Sequence, residues 1–352
     1  MLSPDILKAI EICLELNIPF VAYSLPGKKE IEFFANPSST GENKAKLDGR
    51  HEFIINYFNN EYSYIIGIQH EVTELDIIAN AEKYQRNKEP EIFPWPYSTD
   101  CLQYHGQIHE LIDHLKSRGG KTVLSRVITG ELAIDWLDNL EWLFSHRDLF
   151  CNIYFTQETG CWIGSTPELL LDLNHKTGQL STMSLAGTRI ASFSNADWDN
   201  KNIEEHNYVT KYIIETLNKY DITANVSAPT SVSFGNIEHL CHKITANIGD
   251  NDIIQILNDL SPTPAVAGYP KDQAIIDISQ IEIHPRYCYA GYIGVSDNVG
   301  LHVYVNLRCA HIDHSKICIY GGGGITSKSN AKDEWLETEM KTRHMSYFIR
   351  QV

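Results

Sequence analysis

The sequence lacks three features that would each indicate a familiar class of protein. No apolar run approaches the roughly 18 residues that a membrane-spanning helix needs. The eight cysteines lie at least nine positions apart, which excludes a CxxC metal or redox pair. Positive charge is scarce, since 29 Lys and Arg stand against 45 Asp and Glu, for a formal net charge of -16. These absences favour a cytoplasmic protein with reduced thiols, and they argue against nucleic acid or a membrane as a partner.

What the sequence does contain is a globular composition, with 43% hydrophobic and 21% charged residues. Segments rich in aromatic and β-branched residues occur in hairpin-like runs, separated by groups of helices. The hydrophobic pattern predicts helices at about 101–118, 132–145, 198–218 and from about 330. The segment LHVYVNLRCAHI, residues 301–312, is predicted to form one strand. Because strict βαβ alternation is absent, the predicted fold class is α+β.

Four consecutive glycines, residues 321–324, precede a segment rich in acid. No Lys-Ser or Lys-Thr follows them at the spacing of a phosphate-binding loop. The strand-like KICIY lies before them, and Ser329 or Asn330 is a plausible helix cap after them. We therefore expect the glycines to connect two ordered elements. Glycine at such a place lets the backbone approach a planar ligand and offers N–H donors to it.

The helix predicted after the glycines carries Glu334, Glu337 and Lys341 at spacings of three and four. These spacings place the three side chains on neighbouring positions of one helix face. The simplest interpretation is a solvated Glu-to-Lys pair that stabilises the helix by about 0.2–0.5 kcal/mol. The alternative is that the carboxylates belong to a functional site, and this depends on what the rest of the chain carries.

Six ordered motifs between about Lys121 and the C-terminus make the chain resemble the chorismate-utilising enzymes, which include isochorismate, salicylate, anthranilate and aminodeoxychorismate synthases. The motifs are KTVLSR, GSTPELLL, SLAGTR, EEHNYV, SPTPAVAGYP and YGGGGI…EWLETEMK. The resemblance implies one large α+β domain over residues 1–352, in which two similar halves pack antiparallel sheets face to face with helices outside. Residues 101–352 form its motif-bearing catalytic part, and residues 1–100 match the family only weakly.

The resemblance also implies a metal site. Glu205 in EEHNYV and Glu337 in EWLETEMK would hold one Mg²⁺, with Glu334 close by. This chemistry is reasonable, because Mg²⁺ prefers carboxylate oxygens and usually keeps some waters and a substrate oxygen.

Chorismate, the implied substrate, carries two carboxylates, so an acidic protein must neutralise it locally. An arginine suits a two-pronged grip on a carboxylate, and backbone N–H groups of the glycines would add to it. The substrate-binding residues implied by the resemblance are Arg308, Lys341, Gly322, Gly324, Tyr289, Thr263, His239 and Ala265.

Two implied catalytic residues point to one branch of the family. Lys121 matches the lysine that activates water in isochorismate and salicylate synthases, where anthranilate synthases carry glutamine. Ala186 stands where aminodeoxychorismate synthases often have a nucleophilic lysine, which disfavours a covalent route. Glu168 in TPELLL matches the general acid that protonates the leaving C4 hydroxyl. We therefore expect water to attack C2 of chorismate, with isochorismate as the product, for menaquinone or siderophore synthesis.

Other functions remain as alternatives. A salicylate synthase would carry isochorismate onward to salicylate and pyruvate in the same pocket, and the motifs do not separate the two cleanly. An anthranilate-type synthase would need a glutaminase partner, and Lys121 suggests that none is required. A non-catalytic chorismate-binding subunit disagrees with the intact matches at the implied site residues. We expect a monomer, although the sequence carries no direct sign of oligomeric state.

Overall fold

A computed structural model of the chain describes residues 2–37, 51–59, 63–67, 72–91, 94–190, 197–234 and 237–350. The α-helices are α1 Pro4–Glu15, α2 Glu74–Asn80, α3 Cys101–Arg118, α4 Asn139–Phe144, α5 Asn200–Asn218, α6 Ile253–Leu260, α7 Lys271–Ile281 and α8 Ala331–Thr342. The first strands are β1 Phe20–Ser24, β2 Glu32–Ala35, β3 Glu52–Asn56, β4 Ser63–Gly67, β5 Lys121–Glu131, β6 Phe150–Thr156, β7 Gly160–Thr166, β8 Leu169–Asn174 and β9 Gln179–Ile190. The remaining strands are β10 Asn225–Val226, β11 Thr230–Phe234, β12 Ile237–Asn247, β13 Gly268–Tyr269, β14 Tyr292–Ser296, β15 Gly300–Val305, β16 Cys309–Asp313 and β17 Lys316–Thr326.

These strands form two antiparallel sheets of similar size. The first sheet has the order β13-β5-β17-β16-β7-β6-β1-β2. The second has the order β10-β12-β9-β8-β15-β14-β3-β4, and β11 pairs with β12 beside it. The predicted α+β class is confirmed. Among the described residues, no helix combines the length and the apolarity that crossing a bilayer requires.

The main core lies between the two sheets. In β1, Val21 and Tyr23 belong to this core, whereas Phe20 belongs to a second core between the sheet and the helices outside. This is the expected consequence of strand alternation, which sends successive side chains to opposite faces. Phe150 of the first sheet stacks on Tyr304 of the second, with ring centroids 4.5 Å apart. The sheets therefore pack face to face through aromatic side chains.

The described residues before position 100 contribute strands to both sheets. β1 and β2 extend the first sheet through β6, while β3 and β4 extend the second through β14. These strands thus complete the same two sheets that the later part of the chain builds. Where the motif-bearing part begins, at about residue 101, stays a prediction.

Helices α3, α7 and α8 pack near β5 and β17 of the first sheet. Local sequence explains both ends of α3 and the start of α8. Asp100 caps α3 by accepting a hydrogen bond from the Gln103 amide, and α3 ends at Gly119, which has a φ of 73°. Asn330 caps α8 by accepting from the amides of Lys332 and Asp333, which confirms the predicted start of this helix.

Two predictions about strands are wrong. The glycines 321–324 do not connect two elements but lie inside β17, paired with residues 123–126 of β5. The segment 301–312 is not one strand, because it breaks between Val305 and Cys309 and its two parts belong to different sheets. The break includes Arg308, whose φ of 46° is in the left-handed region. Neither feature is visible locally, since the first needs a partner strand and the second needs a second sheet.

The helix predicted over residues 132–145 is also wrong in extent, since only Asn139–Phe144 is α-helical. The amide of Ala133 donates to the carbonyl of Phe348 near the C-terminus, so a distant segment holds the backbone just before this helix. Sequence reasoning did not predict α2, β8 or β9 as elements. β8 and β9 carry the motifs around Glu168 and Ala186 on strands that border the site.

Candidate active site

A single cleft gathers most of the predicted site residues. It lies at the edge of β17 beyond Ile319, where β16 no longer pairs with β17. With the solvent-filled space at its mouth, it measures about 750 Å³, within the usual range for small-molecule sites. Nine predicted residues line it: Glu168, Glu205, His239, Ala265, Tyr289, Arg308, Gly322, Gly324 and Lys341.

The glycines of β17 turn backbone donors toward this cleft. The amide of Ser125 donates to Glu282 and that of Val123 donates to the carbonyl of Ala267, so both point away from β17. Their partners across the ladder are Gly322 and Gly324. Each is therefore a non-hydrogen-bonded pair of the antiparallel ladder, in which both residues direct their N–H groups away from each other. The N–H groups of Gly322 and Gly324 therefore face the open edge, where the cleft lies.

Lys121 and Glu205 form an ion pair under the cleft surface. The Lys121 Nζ lies 2.7 Å from the Glu205 Oε1, and the lysine side chain is fully buried. Gly324 makes this pair possible, because a Cβ at this position would lie 2.8 Å from the Cε of Lys121 and would also collide with the Glu205 carboxylate. The pair joins the first residue of β5 to α5, two elements that are far apart in sequence.

Glu168 is a buried carboxyl group at the turn between β7 and β8. Its carbonyl accepts a hydrogen bond from the amide of Val305, which fixes the turn to the second sheet. Burial raises the pKa of Glu168 to about 7, against the opposing charges of Lys121 and Lys341. A group with this pKa holds a proton in a large fraction of molecules at neutral pH, as a general acid must.

Two cations face the same space. Arg308 lies where the chain crosses between the sheets, and its carbonyl accepts from the amide of Ser165. Burial lowers the pKa of Arg308 to about 10, so the guanidinium stays charged at neutral pH. The Lys341 Nζ donates to the carbonyl of Gly322 at 2.9 Å and to Glu337 Oε1 at 2.7 Å. Lys341 thus lines the cleft, and its pair with Glu337 is partly buried rather than fully solvated.

His239 and Tyr289 complete the lining on two sides. Burial, together with the charges of Lys341 and Arg308, lowers the pKa of His239 to about 3, so its imidazole is neutral. Its Nδ1 lies 3.1 Å from the carbonyl of Gly187, which can only accept, so Nδ1 carries the proton. Tyr289 lies against the glycine strand.

Four predicted residues lie behind the cleft surface: Lys121, Thr263, Glu334 and Glu337. Thr263 is buried, and its carbonyl accepts from the amides of Val266 and Ala267. It therefore shapes the segment that places Ala265 in the cleft.

The carboxylates of Glu205, Glu334 and Glu337 provide part of the ligands that a divalent cation needs. A Cβ at Gly323 would lie 3.2 Å from Glu334 Oε2 and 3.8 Å from Glu337 Oε1, while Glu205 lies at the neighbouring Gly324. Glu334 and Glu337 thus approach one face of β17, while Glu205 approaches the opposite face at the next glycine. The described residues contain no preassembled cluster of three metal-ligating side chains. Mg²⁺ usually takes one or two carboxylates, with waters and substrate oxygens as the remaining ligands, so the residues present fit this ion.

Among the cleft residues that sequence reasoning did not predict, two carry hydroxyl groups. Thr188 lines it, and its hydroxyl lies 3.2 Å from the Nδ1 of His239. Tyr320 also lines it and stacks on Tyr289, with ring centroids 5.1 Å apart. Both belong to motifs already singled out, SLAGTR and YGGGGI, so their position within these motifs was the available signal.

Comparison with known proteins identifies the family. The model of the family described as "Chorismate binding enzyme" matches residues 45–350. The chain belongs to this family. Isochorismate synthase MenF of Haemophilus influenzae is 35% identical over 190 residues, which are 51% of this chain and 44% of the relative. Isochorismate synthase EntC of Escherichia coli K12 is 30% identical over 242 residues, which are 64% of this chain and 61% of the relative.

A solved structure of another chorismate-binding enzyme has the same fold. MenF, the menaquinone-specific isochorismate synthase of Escherichia coli, superposes with a TM-score of 0.77 at 19% sequence identity. The superposition covers 95% of this chain and 89% of that chain. The sequence matches, in contrast, span only about half the length of the curated relatives.

Proposed function

We propose that the protein is an isochorismate synthase that converts chorismate into isochorismate with the aid of Mg²⁺. The observation that carries this proposal is the gathering of four groups at one cleft. These are the buried side chain of Lys121 beneath the cleft surface, the carboxyl of Glu168 with its pKa of about 7, and the cations of Arg308 and Lys341. The names of the similar proteins support isochorismate as the product.

The substrate would be held by charge and by backbone donors. Arg308 and Lys341 offer positive charge to the enolpyruvyl carboxylate, and Gly322 and Gly324 offer N–H groups to the same side. Because no side chain projects from these glycines, the flat ring can lie close to β17. Positioning of this kind can account for a large part of an enzyme's rate.

Mg²⁺ would be held by Glu205 and Glu337, with Glu334 beside them. When bound, it supplies the positive charge that neutralises the ring carboxylate of the substrate. Lys121 pairs with one oxygen of the Glu205 carboxylate, so the other oxygen would be available to the ion.

The chemical step then needs one base and one acid. Lys121 takes a proton from water as the water oxygen forms a bond to C2 of chorismate. Glu168 gives its proton to the C4 hydroxyl, whose bond to C4 breaks, and a water molecule leaves. One water enters and one departs, so the reaction is an isomerisation without net oxidation or reduction.

The test is a product assay in isotopically labelled water. Purified protein is incubated with chorismate and MgCl₂ in H₂¹⁸O, and the products are separated and analysed by mass spectrometry. We expect isochorismate with one ¹⁸O at C2, and no product when EDTA replaces MgCl₂. Formation of salicylate and pyruvate would instead identify a salicylate synthase. Anthranilate formed only in the presence of ammonium salts would identify an anthranilate-type enzyme, and no product at all would contradict an enzymatic role.

We further propose that the protein acts as a monomer in the cytoplasm without a glutaminase subunit, for menaquinone or siderophore synthesis. Lys121 supports the independence from a glutaminase, because water rather than ammonia is the nucleophile it would activate. Light scattering of the active protein tests the monomer, and a mass twice that of the 40.0 kDa chain would contradict it.

A further inference from the structure

Helix α8 rests on a strand that offers it almost no side chains. A Cβ at Gly321 would lie 2.5 Å from the Cγ2 of Thr342, and a Cβ at Gly323 would lie 3.2 Å from Glu334 Oε2. Packed elements usually fix their relative position by fitting side-chain ridges into grooves. A glycine strand has no ridges. Contact with β17 alone therefore leaves the rotation and the axial position of α8 weakly determined.

This position matters because α8 carries three of the groups assigned to the site. Glu334, Glu337 and Lys341 face the glycines only over a narrow range of helix rotation. A shift by one residue along an α-helix turns a side chain by about 100° and moves it by about 1.5 Å. The carboxylates and the ammonium group would then leave the edge of β17.

Arg126 supplies the missing constraint. It lies on β5 opposite Gly321 and is almost fully buried. Its Nε donates to the Oγ1 of Thr338 at 2.7 Å, and its Nη2 donates to the carboxylate of Glu339. Its guanidinium carbon lies 3.9 Å from the centre of the Trp335 ring. One rigid, planar group thus contacts three residues of α8 that span more than one helical turn.

The apolar contacts of α8 leave this role to Arg126. In the core cluster that it shares with α3 and with Ile325 of β17, the helix contributes Ala331 and Trp335, both in its first half. Leu336 and Met340 are exposed. The second half, which carries Lys341, is held by Thr338 and Thr342 against the strand.

We propose that Arg126 is a positioning residue that sets the register of α8 and thereby aims Glu334, Glu337 and Lys341 at the cleft. Arg126 does not itself line the cleft. The inference rests on the proposed function only in assigning Mg²⁺ and substrate binding to these three groups. The position of α8 on β17 is a property of the fold.

The test compares Arg126→Lys with the wild type. Lysine keeps the charge but cannot reach Thr338 and Glu339 together or stack as a plane on Trp335. We expect faster amide hydrogen exchange across residues 331–342 in the native protein. We also expect the dissociation constant of Mg²⁺ and the KM for chorismate each to rise about tenfold, as is usual when a group that orients a ligand is lost. Calorimetry with MgCl₂ in the presence of chorismate measures the dissociation constant. The kcat should change much less, because Lys121 and Glu168 stay in place.

Thr338→Val is a milder variant that keeps the shape of the side chain and removes the hydroxyl, which accepts from the Nε of Arg126 and donates to the carbonyl of Trp335. It should raise the amide exchange in α8, the Mg²⁺ dissociation constant and the KM by smaller factors. If Arg126→Lys does not fold, this variant provides the test instead. Arg118→Lys is the matched control, because Arg118 binds Asp277 and Thr122 but belongs to α3 and does not contact α8 through these bonds. It should lower stability without changing exchange in α8 or the affinity for Mg²⁺.

The outcomes separate the two proposals. Wild-type exchange in α8 in both the Arg126 and Thr338 variants would overturn the positioning role, as would a Mg²⁺ affinity that falls equally in Arg118→Lys. A wild-type protein that does not convert chorismate would overturn the proposed function, while the exchange measurement would still decide the register of α8.

Discussion

Among single residues, Lys121 holds the most consequential position. It is fully buried, and its ammonium group is paired with Glu205. An unpaired charge at this depth would be costly, so the pair accounts for how a lysine can occupy the end of a strand inside the protein. The same pair links the proposed base to a proposed metal ligand.

Replacing Lys121 by alanine should remove the base while leaving the cations and carboxylates of the cleft in place. We expect kcat to fall about 10³-fold, within the range for loss of a general base, and binding of chorismate and Mg²⁺ to be nearly retained in calorimetry. Lys116→Ala on the exposed side of α3 is the control and should be fully active. Substantial turnover by the Lys121 variant would remove the assignment of the base.

The pKa of Glu168 predicts the pH dependence of the reaction. Because burial raises it to about 7, the carboxyl group is protonated below this pH and loses its proton above it. The kcat should therefore decline as the pH rises through about 7, and Glu168→Gln should be nearly inactive at every pH. A rate that stays constant from pH 6 to pH 9 would contradict the role of Glu168 as the acid.

The same pKa predicts a pH effect on stability. Between the ordinary pKa of 4.5 and about 7, the folded protein keeps a proton on Glu168 that the unfolded chain releases. The free energy of unfolding should then fall as the pH rises through this window, by about 3 kcal/mol at most. Glu168→Gln should lack this loss. Chemical denaturation of both proteins at pH 5 and pH 8 measures it, and identical pH dependence in the two would show that Glu168 is not buried as described.

At the scale of elements, β17 combines two roles on its two faces. Gly321 and Gly323 allow α8 to pack closely, while Gly322 and Gly324 form the floor of the cleft. The alternation of a strand assigns the roles, since residues two apart share a face. A run of glycines is thus required, because α8 and the side chains beneath the cleft approach the two faces of β17 at the same place.

Gly324→Ala tests the cleft face. The added methyl group would collide with Lys121 and Glu205, and the pair cannot retreat without losing its geometry. We expect kcat/KM to fall by about 10² or more, in line with the cost of misplaced catalytic groups. Gly106→Ala on α3, where a Cβ meets nothing within 4 Å, is the control. It should keep full activity and gain about 0.5–1 kcal/mol of stability, because alanine is the better helix former. Equal activity in the two variants would contradict the close packing at Gly324.

At the scale of the whole molecule, negative charge is the main obstacle to the binding of the proposed substrate, chorismate. A chain with a net charge of -16 repels a dianion, and the cleft itself contains carboxylates. Arg308 and Lys341 offset only part of this repulsion. A cation at Glu205 and Glu337 would change the sign of the local potential, so the two ligands should bind cooperatively.

This cooperativity can be measured by titrating each ligand with and without the other. We expect each of MgCl₂ and chorismate to raise the affinity of the other by the same factor, which corresponds to about 1–3 kcal/mol of coupling. KCl at matched ionic strength controls for general screening and should give a much smaller effect. Independent binding of the two ligands would contradict a shared site.

Whether a structural feature could be predicted from the sequence depends on how far apart in the chain its interacting residues lie. The start of α8 follows from a local cap at Asn330, and α3 and α5 follow from their hydrophobic period. The pairing of the glycines with KTVLSR was not visible, because hydrogen bonds between strands leave no local pattern. The break at Arg308 was hidden for a similar reason, since only the presence of two sheets makes the chain change partners there.

The sequence by itself determined the composition of the site, because the carboxylates, the lysines and the glycines occur in ordered motifs that a pattern can reveal. Only the tertiary structure decided which of them meet. Lys121 pairs with Glu205, Glu168 is buried deeply enough to keep its proton, and Lys341 reaches Gly322, because β5, β17, α5 and α8 pack together. Distances and burial arise from contacts between segments far apart in the chain, and no local stretch of sequence encodes them.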